Sequence, residues 1–208
     1  MEYFAAKGAC SFGAHVTIIE LGLAIPVTLV SLGQKNTLIH KINPLGRVPA
    51  LALDDGTVLT ENNAVLPYLA DLRPGTTLFA PAGSAERARI QSWIGYVSTE
   101  LHAAAGRAIN RPERYSADPA AHPGIRAAGA ALARQALAPL ERHLADHAYL
   151  VGERFTIADA YFGLFAGLAG RLAGSPDAFP AIAAYSERYE ARPSVRAARQ
   201  AEERELAA

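Results

Sequence analysis

The 208-residue sequence predicts a chain of two regimes: a small α/β domain of order β-α-β-(α)-β-β-α, then an all-α domain. Three observations predict it. Up to residue 72, short β-branched runs alternate with short helical stretches. Beyond residue 84 apolar residues recur only at helical spacing. Between the two, residues 73–84 (RPGTTLFAPAGS) concentrate Pro, Gly and Thr, the composition of a connector. The expected division is residues 1–76, a linker over 77–84, and a helical domain over 85–208.

The first element is a strand over Glu2–Ala6. From Ser11 to Leu21 the positions of Val16, Ile18, Ile19 and Leu21 suit a helix that Gly22 ends. Pro26–Val30 is β-branched and reads as the second strand. Thr37–Ile42 is a short helix or turn, stopped by Asn43-Pro44-Leu45-Gly46. Val48–Leu53 gives a third strand, and Asp54-Asp55-Gly56-Thr57 turns it into a fourth over Val58–Thr60. Asn62 then caps a helix through Val65, Tyr68 and Leu69 to Leu72. This order implies a parallel pair made by a crossover, followed by an antiparallel pair.

In the second regime Ile90, Ile94, Val97 and Leu101 keep helical spacing, with Trp93 alongside. Residues 112–124, with three prolines, read as a loop, and the alanine-rich stretch Ile125–Leu144 as a helix that Pro139 can bend. Thr156-Ile157-Ala158-Asp159 has the form of a capping box and opens an apolar helix through Leu164, Phe165 and Leu168. Two shorter helices are expected over 179–191 and 194–206.

Composition excludes several classes of function. Half the residues are hydrophobic and 19% are charged, which is incompatible with a disordered chain. Twenty cations balance 20 anions, so neither nucleic acid nor an anionic membrane is the expected partner. No apolar run reaches the ~18 residues of a membrane span, and the start MEYFAAKGAC lacks the layout of a secretion signal. One cysteine allows no internal disulfide, and the expected location is cytoplasmic.

Four places can carry chemistry. Cys10 sits where the first strand gives way to the first helix, and a helix N-terminus favours thiolate. A lone cysteine also serves as a small buried apolar residue. Lacking a second cysteine nearby, any disulfide chemistry needs a thiol from outside. Val48-Pro49 opens a strand; a cis bond there would turn the preceding backbone N–H and C=O outward to pair with an extended peptide. The plainer reading is a proline that starts a strand. Thr60-Glu61-Asn62 ends a strand and begins a helix, so free N–H groups could hold a carboxylate while Glu61 accepts from an ammonium. An ordinary N-cap with a first-turn acid explains the same residues. His102 shares its helix face with Gly95, Ser98 and Gly106, a stripe of small residues that leaves a groove or a tight helix contact, and a histidine there can donate to a thiolate. Thr99 and Glu100 lie beside it. The remaining histidines show no metal spacing with Cys10, and no metal is expected.

Taken in order, Gly8-Ala9-Cys10-Ser11, Ile42-Asn43-Pro44-Leu45-Gly46-Arg47-Val48-Pro49-Ala50-Leu51, Asp54 to Glu61 and Tyr68-Leu69-Ala70-Asp71 resemble the thioredoxin-like domain of the cytosolic glutathione transferases, bacterial beta class. Thr99-Glu100-Leu101-His102 and Phe155 to Tyr161 resemble that family's helical-bundle domain. The resemblance implies that glutathione is the co-substrate, held in the first domain, with a hydrophobic pocket for a small-molecule electrophile between the domains. It implies a glutathione site made by Cys10 against the sulfur, Lys35 on the glycine carboxylate, Val48 ahead of a cis Pro49 on the cysteinyl backbone, and Glu61 and Asn62 on the γ-glutamyl head. His102 would face the sulfur, Thr99 would belong to the glutathione site, and Glu100 would reach the glutathione of the partner in a homodimer. Ala5, Lys7, Asn62 and Gly95 depart from the usual family residues, and Lys7 beside the thiol would favour thiolate. The expected activity is conjugation of glutathione to electrophiles, thiol–disulfide exchange through Cys10, or both. The alternatives are a specialised glutathione-dependent dehalogenase or isomerase, or a binding protein for apolar ligands with little turnover.

Overall fold

The computed structural model describes residues 1–34, 37–175 and 178–204. Strand β1 (Glu2–Ala5) lies inside a four-stranded sheet of order β2-β1-β3-β4. Helix α1 (Phe12–Glu20) carries the chain over to β2 (Val27–Leu29), which pairs parallel with β1. After α2 (Leu38–Ile42), strands β3 (Ala50–Ala52) and β4 (Val58–Thr60) add as an antiparallel pair, with Tyr3 facing Val27 on one side and Leu51 on the other. Helix α3 (Asn62–Asp71) completes this part of the chain. Strands β2 and β3 begin one and two residues later than the sequence suggests, after Pro26 and Pro49, which have no N–H to donate to a ladder.

Alternation along β1 separates two cores. Tyr3 and Ala5 point into the main core, while Phe4 and Ala6 pack with Ile39, Val48 and Ala50 on the opposite face. The main core continues without interruption from the sheet into the helical part, through Phe12, Leu66, Ile94, Leu101, Phe162 and Tyr185.

Every element from Ala85 onward is helical. Helix α4 (Ala85–Tyr96), capped by the Ser84 side chain, runs into a π-helical segment (Val97–Gly106) and returns to α geometry in α5 (Arg107–Asn110). The regular spacing of Ile90 to Leu101 gives no sign of this widening. Gly106 permits it: a Cβ there would lie 2.9 Å from the Leu101 carbonyl. The expected loop over 112–124 contains two short 3₁₀ turns, and α6 (His122–Asp146) begins three residues early and continues through Pro139. Helix α7 (Ile157–Ala166) starts at the expected capping box. It ends two residues short of Leu168, and a short α8 (Ala169–Ala173) that the sequence reading lacks follows it. Helices α9 (Pro180–Glu190) and α10 (Pro193–Arg204) lie close to their expected spans.

Two devices dock the helical part onto the sheet part. Gly13 on α1 meets α7 so closely that a Cβ would be 2.6 Å from the Ala160 carbonyl. From α10 and the residue before it, Ser194 and Arg192 bind Glu20, Arg199 lies 4.0 Å over the Phe12 ring, and Glu202 accepts from the Gly8 N–H.

Candidate functional site

A cleft of about 640 Å³ opens between the sheet part and the helical wall. The loop after β1, the turn before β3 and the N-terminus of α3 line one side; the π-helical segment, α5 and α7 line the other.

Cys10 sits in the loop after β1, which is folded tightly by the Ala9 N–H to the Ala6 carbonyl and the Phe12 N–H to the Ala9 carbonyl. Ser11 binds back to Ala6 rather than capping α1. The Cys10 thiol donates to the Val48 carbonyl at 3.4 Å, and Val48-Pro49 is cis. Burial, with the Glu61 carboxylate adding to it, pushes the thiol up to about 12 against the pull of the N–H groups of Cys10 and Ser11. The expected thiolate is therefore corrected: in this chain Cys10 is a neutral thiol. Lys7 does not reverse this; its charge acts on Glu202 instead.

The cap of α3 also differs from expectation. Glu61 occupies the cap position with φ of +66°, and its carbonyl starts the helix by accepting from the N–H groups of Ala64 and Val65. A non-glycine residue held there is a strained backbone of the kind found at binding sites. Asn62 is the first helical residue, not the cap; its buried side-chain amide donates to the Cys10 carbonyl at 3.0 Å. That bond fixes the α3 N-terminus beside the cysteine loop.

From the opposite wall, His102 places Nδ1 3.0 Å from the Tyr161 hydroxyl. Burial and then the Arg107 charge lower the His102 pKa, with Glu61 opposing, so the ring is neutral at pH 7. Burial raises the Tyr161 pKa, so Tyr161 keeps its proton. The Tyr161 hydroxyl and the neutral imidazole of His102 share one hydrogen bond through Nδ1, which leaves Nε2 as the ring nitrogen outside that bond. The site thus offers a neutral thiol, Cys10, and a neutral imidazole, His102, beside a helix N-terminus and the Glu61 carboxylate.

The structure brings Cys10, Val48, Pro49, Glu61, Asn62 and His102 into one cleft. It does not bring in Thr99 or Glu100, which are exposed and bonded to one another. Lys35 lies outside the described residues. Sequence reasoning gave Tyr161 no role. A tyrosine in a run as apolar as Ile157–Ala166 must find a partner for its hydroxyl, and that was the available signal. It likewise read past the arginines that follow His102.

Two family models match the chain, one described as glutathione S-transferase, N-terminal domain, over residues 8–72, and one as glutathione S-transferase, C-terminal domain, over residues 127–193. The chain is 36% identical to the glutathione S-transferase GstA of Escherichia coli O157:H7, covering 97% of this chain and 98% of that one. Among solved structures, a sphingomonad glutathione S-transferase complexed with glutathione superposes with a TM-score of 0.84 at 32% identity, covering 97% of this chain and 98% of that one. A bacterial beta class glutathione S-transferase of Sphingomonas chungbukensis gives a TM-score of 0.85 at 32% identity, with the same coverage.

Proposed function

The chain belongs to the glutathione S-transferase family, and on that premise we propose that it conjugates glutathione to small-molecule electrophiles by stabilising the glutathione thiolate between Cys10 and His102. Residues 1–76 hold glutathione, and residues 85–208 supply the wall against which the electrophile lies. The γ-glutamyl ammonium meets the Glu61 carboxylate and its carboxylate meets the N-terminus of α3. The cysteinyl backbone pairs with Val48, and the glycine carboxylate runs toward Lys35.

The glutathione sulfur then lies where the Cys10 thiol can turn away from the Val48 carbonyl and donate to it, with His102 Nε2–H donating from the other wall. A free thiol of pKa ~8.5 must fall by ~2 units to be mostly ionised at pH 7, which is about 2.7 kcal/mol. Two hydrogen bonds to a charged group, at roughly 1.5–3 kcal/mol each, suffice. The thiol proton leaves to solvent. The thiolate sulfur forms a bond to the electrophilic carbon, and the leaving group departs with its bonding pair.

The observation that carries this reading is that Cys10 and His102 line one cleft from its opposite walls. Disulfide exchange through Cys10 is the weaker reading. Burial and the Glu61 carboxylate raise the thiol pKa, which leaves Cys10 little thiolate to act as a nucleophile at pH 7. Thr99 and Glu100, exposed outside the cleft, suit contact with a partner's glutathione in a homodimer. A cytoplasmic role in clearing reactive electrophiles fits this chemistry, and no helix among the described residues is long and apolar enough to cross a membrane.

The test is the thiol pKa of glutathione bound to the protein, read from thiolate absorbance across pH. The wild type is expected to hold it below 7, and Cys10→Ala and His102→Gln each to raise it by about one unit. Bound glutathione that titrates as it does free in solution overturns the proposal.

A further inference from the structure

The chain is neutral, but its cleft is not. Among the described residues Lys7, Arg47, Arg107, Arg111, Arg114 and Arg171 line it against only Glu61 and Glu113, an excess of four positive charges in a protein whose 20 cations and 20 anions cancel. Glutathione with its thiol ionised carries a net charge of about −2, so roughly half the excess remains when it is bound.

That remainder is concentrated beyond His102. Arg107, Arg111 and Arg114 fall within eight residues of the helical wall, and Arg47 faces them from the turn before β3. Among the described residues the guanidinium groups of Arg107 and Arg114 have no ion pair, and Arg111 has only Glu113 at 3.9 Å, with both side chains about half exposed. Partial burial first, and then the charges of Arg47, Arg107 and Arg111, weaken the hold of Arg114 on its proton, with Glu113 opposing. Behind them Leu164, Phe165, Leu168 and Leu172 give the same cleft an apolar floor. A pocket for purely apolar electrophiles gains nothing from four guanidinium groups lining it, because the repulsion among like charges is a cost with no return. An anionic group relieves both the repulsion and the missing partners, and guanidinium forks bind carboxylates in pairs of hydrogen bonds.

Resting on the conjugation reading above, we propose that the electrophile is an organic carboxylate: its apolar body lies on Leu164, Phe165 and Leu168, and its carboxylate is held by Arg107, Arg111 and Arg114. The reacting carbon faces the sulfur beside His102, and the carboxylate points along α5 away from it. Conjugation proceeds as before, with one carbon–sulfur bond formed and the leaving group expelled with its electron pair, the carboxylate taking no part.

The full-length protein is assayed with glutathione and either 4-chloro-3,5-dinitrobenzoate or its methyl ester, each rate divided by the uncatalysed rate. The carboxylate is expected to be accelerated about tenfold more than the ester, with the preference shrinking as salt rises. The exposed pair Arg111→Gln/Arg114→Gln is expected to raise KM for the carboxylate about tenfold and to leave KM for glutathione and for the ester within twofold. Equal acceleration of the two electrophiles overturns the proposal. So does a variant that raises KM for glutathione equally with both, because the arginines would then be holding the glycine carboxylate of glutathione. If neither electrophile is turned over, the conjugation reading fails by itself. The carboxylate site is then judged by equilibrium dialysis of the two preformed glutathione conjugates: tighter binding of the carboxylate conjugate, weakened in the double variant, upholds it, and equal affinities overturn it.

Discussion

At Cys10 two influences oppose each other. The N–H groups of Cys10 and Ser11 favour the thiolate, while burial and the Glu61 carboxylate favour the thiol and prevail. Alkylation by iodoacetamide in the free protein is therefore expected to be slow at pH 7 and to rise with pH without levelling off below pH 10; a plateau by pH 8 would contradict this. Cys10 is the only cysteine, so the signal has one origin. On the mechanism proposed above, Tyr161 is a positioning residue, donating to His102 Nδ1 so that the ring proton sits on Nε2. Tyr161→Phe removes the donor that keeps the imidazole proton on Nε2. The expected result is a roughly tenfold fall in kcat, a change in its pH profile, and an unchanged KM for glutathione. Nitrogen NMR of His102 should show a single tautomer in the wild type and a mixture in the variant. An unchanged tautomer with an unchanged pH profile would reduce Tyr161 to a packing residue.

Among the elements, α7 is the one whose start is written most plainly in the sequence. The Asp159 carboxylate accepts from the Thr156 N–H and hydroxyl on one oxygen, and from the Leu150 N–H and the Tyr185 hydroxyl on the other. Burial nevertheless outweighs these donors and pushes its pKa up to about 6, above that of an unfolded aspartate. Between about pH 4 and 6 the folded chain thus holds a proton that the unfolded chain releases. This contribution is full below pH 4 and is lost as pH rises through 6. Asp159→Asn is expected to cost about 2–4 kcal/mol, most near pH 4 and less by pH 7, in urea unfolding. A cost that grows with pH would show the carboxylate to be stabilised as the anion. Elsewhere local pattern misplaced an element's detail. Asn62 has the chemistry of a cap, yet the tie of its amide to the Cys10 carbonyl draws it inside α3 and leaves Glu61 at the positive φ. The π-helical segment was equally hidden, because spacing reports which face is apolar and not how wide a turn is.

On the scale of the whole molecule, function depends on how α1 and α7 are docked, since Cys10 precedes one and Tyr161 lies in the other. Gly13→Ala would set a Cβ 2.6 Å from the Ala160 carbonyl and 2.8 Å from the Tyr161 Cα, backbone atoms that cannot give way as a flexible side chain would. Such overpacking costs about 1–3 kcal/mol. In a chain of this size that lowers Tm by roughly 2–4 °C per kcal/mol. Conjugation should fall along with it, because His102 moves away from Cys10. An unchanged melt with unchanged activity would show that the docking is looser than its geometry implies. The sequence by itself determined the order of strands and helices up to residue 72, the mixed sheet, the change to helices beyond it, and six of the residues that meet in the cleft, Cys10, Val48, Pro49, Glu61, Asn62 and His102. Those follow from periodicity, caps and turn residues, which act over a few positions. Tertiary structure decided the burial of Cys10, the pairing of His102 with Tyr161 and the pooling of arginines in a neutral chain. Each of these is a sum of burial and charge over segments far apart in sequence, and no local pattern contains that sum.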